Sequence, residues 1–218
     1  MPNLSFLSES LGPQLPYWDV TEHVNPLAKQ TFDATDAKLV QAALAHSAAY
    51  AKLVVRFEGV LERYVRRLLG QHQNATSDVL QEAFIKAYVN LNDFDQSRPF
   101  SPWIYRIAHN EAINYLRKRK VEPHTINGED GQIILEKIAD GADTAYHVLS
   151  REREQKLKQA LAVLDPRYRD ILVLRYLEDK SYSEIADILH LPSGTVAIHL
   201  KRGLKKLKAT MLHDGDLL

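Results

Sequence analysis

The chain has 218 residues, enough for one large domain or two small ones, and is 45% hydrophobic and 26% charged. It contains no cysteine, which excludes disulfides, thiolate metal sites and cysteine nucleophiles and fits a cytoplasmic setting. The 28 basic residues balance 28 acidic ones, and no run of about 18 apolar residues offers a membrane span, so no membrane insertion is expected.

Residues 1–36 carry four prolines and little periodicity, and acids (Glu9, Asp19, Glu22, Asp33, Asp36) outnumber Lys29. They read as an irregular acidic arm, and Met1 to Pro16 lacks the basic start of a secretory leader. Helical periodicity takes over beyond residue 36. Leu53, Val54, Phe57, Val60, Leu61, Tyr64, Val65 and Leu68 predict a helix that Gly70 can close.

The segment from Asp78 to Leu91 predicts another helix. Leu80, Ala83, Phe84, Ala87, Tyr88 and Leu91 would form its core face. At about 100° per residue, Asp78, Gln81, Glu82, Ile85 and Val89 gather on the opposite face. Apolar residues among acids on an outer face suggest protein docking, or cover by the N-terminal arm. A proline-fixed loop, Asn92 to Pro102, leads into a helix that ends in the basic block Arg117, Lys118, Arg119, Lys120. Phe94, Phe100, Trp103 and Tyr105 interleave with Arg106 and Asn110. Rings that stack bases and cations that meet phosphates suit single-stranded DNA. The alternative places Phe100 and Trp103 in the core.

Residues 121–149 hold Glu122, Glu129, Asp130, Glu136, Asp140 and Asp143 against Lys137, with Pro123 and three glycines. They read as a flexible acidic linker with a short helical turn near Ile133–Ile138. The fold expected is therefore all-α. An N-terminal helical bundle (37–120) is joined by the linker to a C-terminal four-helix domain (150–212) that ends in a helix-turn-helix, with 213–218 as a tail.

In the C-terminal part, Leu157, Leu161, Leu164, Ile171, Leu172, Leu174 and Leu177 predict two helices around an Asp165-Pro166 start. Ser181-Tyr-Ser-Glu184 is a capping box. Ile185, Ala186 and Leu189 face inward, Leu191-Pro192 breaks the helix, and Ser193 is expected to cap the next one. Val196, Leu200 and Leu207 carry on the apolar stripe. The second helix of such a motif enters the major groove. Ser193, Thr195, Ala197, Ile198 and His199 stand toward base edges, where Ala197 and Ile198 suit thymine methyls and His199 offers one hydrogen bond. Lys201, Arg202, Lys205 and Lys206 would meet phosphates.

These segments resemble the sigma-70 family, in particular its small extracytoplasmic-function members. Asp78-Val-Leu-Gln-Glu-Ala-Phe-Ile-Lys-Ala-Tyr88 is similar to the family's polymerase-binding helix. Arg98-Pro-Phe-Ser-Pro-Trp-Ile-Tyr-Arg-Ile-Ala-His-Asn110 is similar to its promoter-melting segment. Tyr182-Ser-Glu-Ile-Ala186 and Pro192-Ser-Gly-Thr-Val196 are similar to its second DNA-binding module. The resemblance implies that Asp78, Gln81, Glu82, Ile85 and Val89 dock the beta-prime clamp coiled coil of core RNA polymerase. The second module would contact the beta flap. The loop from Asn92 to Pro102 would capture an extruded base of the minus-ten element, and Phe94, Phe100, Trp103, Tyr105, Arg106, Asn110, Arg117 and Lys118 would serve the opened strands. The recognition helix would read the minus-thirty-five element through Ser193, Thr195, Ala197, Ile198, His199, Lys201, Arg202 and Lys205. The linker would thread the polymerase cleft, and an anti-sigma factor is an expected partner.

The sequence departs from the family after Gly194-Thr-Val196, where Lys or Arg, Ser and Arg are common and Ala197, Ile198 and His199 stand. His190 replaces a common glycine at the turn, in a residue type that tolerates a left-handed backbone. The rival reading is a helix-turn-helix regulator that binds duplex DNA without joining polymerase. An enzyme is not expected, and neither is a cofactor or a metal. There is no phosphate loop or nucleophile elbow, and the nine histidines share no ligand spacing.

Overall fold

The computed structural model describes residues 34–119, 133–134, 137 and 164–213. Every regular element among them is helical, as the all-α expectation requires.

The first module is a bundle of α1 (Ala34–Ala45), α2 (Tyr50–Leu69), α3 (Thr76–Val89) and α4 (Phe100–Lys118). The apolar stripe of α2 explains its central place. Leu53, Phe57, Leu61, Tyr64, Val65 and Leu68 recur at spacings of three and four, all are buried, and α1, α3 and α4 pack on them. Gly70 ends α2 with φ 48°, a conformation open to glycine because it lacks a Cβ. The helical bundle starts slightly before residue 37. Asp36 lies inside α1, nearly buried, and binds Arg56 at 3.0 Å. The rest of the expected irregular arm lies outside the described residues.

The second module contains α5 (Pro166–Leu172), which continues through a π-helical turn (Val173–Leu177), then α6 (Tyr182–Leu189) and α7 (Ser193–His213). Asp165 starts α5 as expected, its carboxylate accepting from the Arg167 backbone N–H at 3.0 Å, with Pro166 in the first turn. The capping box forms: Ser181 Oγ accepts from Glu184 N at 3.2 Å, and Glu184 Oε2 accepts from Ser181 N at 2.8 Å. His190 ends α6 in the left-handed region at φ 57°, ψ 44°. Ser193 is not the expected cap of α7 but its first residue. The Pro192 carbonyl accepts from Thr195 N and Val196 N instead. A fourth helix expected around 150–163, most of the acidic linker and the tail beyond 213 lie outside the described residues. Within the linker, Ile133, Ile134 and Lys137 are helical, Ile134 is fully buried, and Lys137 reaches Asp179 at 2.7 Å.

The helix-turn-helix closes on small residues. Ala186 on α6 is buried, and Gly203 on α7 lies against Tyr168 of α5. A Cβ at Gly203 would stand 3.2 Å from the Tyr168 Cβ, an atom fixed to its backbone. Gly203→Val should therefore lower stability by about 1–3 kcal/mol through overpacking. A thermal midpoint equal to that of the native chain would refute this packing.

Candidate polymerase and DNA interfaces

The outer face of α3 emerges as the periodicity predicted. Asp78, Gln81, Glu82, Ile85 and Val89 are all exposed. Tyr88, expected in the core, is exposed as well, its ring edge-on to Tyr50 at 5.0 Å, while Val79 takes a buried place. The change follows from Tyr50, whose hydroxyl donates to the Phe84 carbonyl at 2.8 Å and so occupies the edge of the bundle. Ile85, Tyr88 and Val89 are 48%, 46% and 67% exposed, an apolar surface with acids beside it. Lys86 anchors this helix to α4 through Glu111 at 2.6 Å.

On α4 the residues expected to meet melted DNA divide by face. Trp103, Arg106, Asn110 and Arg117 share one side at helical spacing, and Asn110, Arg117 and Lys118 are exposed. Phe94 and Phe100 are buried, edge-on to each other and tilted against half-buried Trp103, at ring distances of 5.2–5.3 Å. They therefore shape the loop from inside and are not free stacking platforms in this arrangement. Tyr105 also departs from expectation. It lies on the opposite face, 3% exposed, and donates to Glu178 Oε2 at 2.9 Å. Beside the loop is a cleft of about 110 Å³, lined by Asp36, Val40, Gln41, Gln96, Arg98 and Phe100 among others.

The face of α4 that carries Tyr105 receives the second module. Ser101, Tyr105 and His109 recur at i, i+4 and i+8, and each has a partner there. Lys180 Nζ donates to Ser101 Oγ at 2.9 Å and lies 4.1 Å from the Tyr105 ring centroid. Glu178 binds Tyr105 and also Arg67 of α2, at 2.5 Å. His109 Nε2 lies 4.0 Å from Asp170 Oδ2, and its Nδ1 is 2.9 Å from the Tyr64 hydroxyl. Burial holds His109 down to about 4 and pushes Asp170 up to about 7, so neither is fully charged near neutrality. Burial also raises Glu178, against the pull of Tyr105, Arg67 and Lys180. Sequence reasoning missed this interface. Its one signal was the polar stripe along α4.

On α7, Ser193, Gly194, Ile198, Lys201, Arg202 and Lys205 are exposed, and Thr195 and Ala197 are partly so. Val196, Leu200, Gly203 and Leu207 form the buried stripe. His199, expected to offer a base or phosphate contact, is half-buried. Its ring sits edge-on to Tyr168 at 5.5 Å, and its Nδ1 is buried with no hydrogen-bond partner among the described residues. Among those residues no group of His, Cys, Asp and Glu is placed to hold a metal, and no helix is long and apolar enough to cross a membrane.

An all-helical pair of modules, one ending in a helix-turn-helix with a basic second helix, defines a DNA-binding protein. The comparisons name its family. The families described as "Sigma-70 region 2" and "Sigma-70, region 4" match residues 53–122 and 154–207. The ECF RNA polymerase sigma factor SigW of Bacillus subtilis is 37% identical over 164 residues, 73% of this chain and 87% of that protein. The RNA polymerase sigma factor CnrH of Cupriavidus metallidurans is 29% identical over 187 residues, 84% and 97% of the two chains. The solved structure of CnrH in complex with the cytosolic domain of CnrY matches with a TM-score of 0.57 at 26% identity, covering 83% of this chain and 99% of that one. The chain belongs to the sigma-70 family, in its extracytoplasmic-function branch, and is an alternative sigma factor that directs RNA polymerase.

The buried pair between the modules sets a test of sign. His109 is depressed from its ordinary value near 6.5, so its contribution is lost as pH falls from about 6.5 toward 4. Asp170 is raised from near 3.8, so its contribution is lost as pH rises from about 4 through 7. In the native chain the two trends offset each other over most of that range. Relative to the native chain, Asp170→Asn should lose thermal stability on acidification to pH 5. His109→Gln should lose it on moving up to pH 7.5. Thermal midpoints from pH 4.5 to 8 that slope the same way in both variants would contradict the burial of the two groups.

Proposed function

We propose that the outer face of α3 is the surface by which this sigma factor holds core RNA polymerase. Asp78, Gln81, Glu82, Ile85 and Val89 then dock the beta-prime clamp coiled coil, with Tyr88 added by the structure. The observation that carries this reading is the exposure of Ile85, Tyr88 and Val89 side by side. A regulator that only binds duplex DNA has no use for such a surface on its N-terminal module, whereas a desolvated apolar centre rimmed by polar groups is what a protein partner recognises.

Arg106, Asn110, Arg117 and Lys118 on the open side of α4 then support the separated minus-ten strands, with half-buried Trp103 at their edge. The cleft beside Gln96 and Arg98 is the natural seat for an extruded base. Phe94 and Phe100 hold that cleft in shape, and Tyr105 acts between the modules. The second module touches the beta flap and reads the minus-thirty-five element through α7, and the acidic linker between the modules follows the polymerase cleft. The protein acts in the cytoplasm as a non-catalytic factor, without a cofactor. The solved complex of CnrH with CnrY supports an inhibitory protein partner for this chain also.

Ile85→Asp should weaken binding to purified core polymerase at least about tenfold, since it places a charge in a desolvated contact. Arg106→Ala combined with Asn110→Ala should leave core binding intact and reduce permanganate-reactive thymines at a promoter start. Core binding unaffected by Ile85→Asp would mean that core polymerase is held by a surface other than the outer face of α3.

A further inference from the structure

We infer that Ile198 is a specificity-determining residue of the recognition helix and that it reads the 5-methyl group of a thymine in the upstream promoter element. The inference rests on the reading that α7 enters promoter DNA. Ile198 is 51% exposed on the second turn of α7, a large apolar side chain on an otherwise polar face. At about 100° per residue it lines up with Gly194 before it and with Lys201 and Lys205 after it. All four are exposed, and α7 carries no acidic residue.

The chemistry of that face narrows what Ile198 meets. Purine edges are read by Arg, Lys, Asn, Gln or His, which match their paired acceptors and donors. The one such residue in the first two turns of α7 is His199, whose ring is edge-on to Tyr168 and whose Nδ1 is buried. Ser193 and Ile198 are exposed there, and Thr195, Ala197 and the His199 ring packed on Tyr168 are half-exposed. The first outward cation is Lys201, two helical turns beyond Gly194, at the level where side chains meet phosphates. The half of the helix that faces base edges therefore offers hydroxyls and methyl surface. The thymine methyl is the one apolar group on the major-groove edge. The basic face commits the occupant to nucleic acid, because Lys201, Arg202 and Lys205 flank Ile198 with no acid between them.

The test uses the full chain bound to core polymerase and a pool of duplexes randomised across the upstream element. Enriched duplexes are remade with deoxyuridine replacing thymine at one position at a time, which removes only the methyl group. The native chain should lose about three- to fivefold in affinity at one position, the size expected for one buried methyl group. Ile198→Ala should bind the thymine duplex that much more weakly and be indifferent to the methyl there, and Ile198→Val should keep part of the discrimination. Enrichment without a methyl-sensitive position, or sensitivity unchanged in Ile198→Ala, overturns the inference and leaves promoter reading by α7 standing. If no duplex is enriched, promoter reading by α7 falls and the inference falls with it.

Discussion

One buried carboxylate fixes how the two modules lie against each other. The Glu178 side chain is 5% exposed and divides its two oxygens between the Arg67 guanidinium and the Tyr105 hydroxyl. A carboxylate so placed tolerates little change. Leaving it ionised without its partner costs about 3–5 kcal/mol, although the satisfied pair itself adds little net stability. Such a contact specifies a geometry more than it strengthens one. Its delivery depends on local backbone. The π-helical turn after α5 leads the chain into Asp179 at φ 50°, and the Lys180 N–H returns to the Leu174 carbonyl at 2.9 Å. That tight turn points Glu178 and Lys180 at α4 together. π-Helical turns of this kind are found mostly where function needs a side chain re-aimed.

The same arrangement lets α4 face two ways. Ser101, Tyr105 and His109 meet the second module through Lys180, Glu178 and Asp170. Trp103, Arg106 and Asn110 lie roughly 100–160° around the helix from Tyr105. Contact between the modules therefore leaves the side of α4 that carries Trp103, Arg106 and Asn110 uncovered by the second module. Interfaces built from a few polar contacts resemble transient associations, and their components separate more readily than those of a continuous apolar core. The apolar share here, with Ile185, Ala186 and Ile188 of α6 buried in the same cluster as Ile104 and Ala108 of α4, works against that separability. The balance between the two makes the charged and titrating groups the sensitive part of the interface.

Much of this was legible in the sequence because it is local. The capping box at Ser181 and Glu184, the Asp165-Pro166 start, the helix end at Gly70 and the outward face of α3 each depend on residues within one or two turns. What was not legible depends on distant partners. Tyr105 and Glu178 are 73 positions apart, and Arg67 and Glu178 are 111 apart. No period links such residues. Periodicity assigns a face but not its neighbour, so Tyr105 read as an aromatic for DNA when its face belongs to the second module. The setting of His199 was hidden for a related reason. Its position in the motif placed it near bases, and only the packing of Tyr168 shows the ring turned inward. Tyr88 fell to a competing ring, since Tyr50 already fills the edge it was expected to cover.

The distribution of charge on α7 completes the argument for a factor that works with polymerase. The outward cations of its described side chains are Lys201, Arg202, Lys205 and Lys206, and Lys206 also lies over the Tyr168 ring. About four phosphate contacts give a salt slope near −3.6, a loss of roughly a hundredfold between 50 and 200 mM salt. Such a contact weakens steeply toward physiological salt. It suffices once the module is tethered near its site, because tethering replaces bulk concentration by an effective one. An overall charge of zero serves the same end. It limits non-specific attraction to DNA, which suits a module carried to its site by the polymerase that the factor directs.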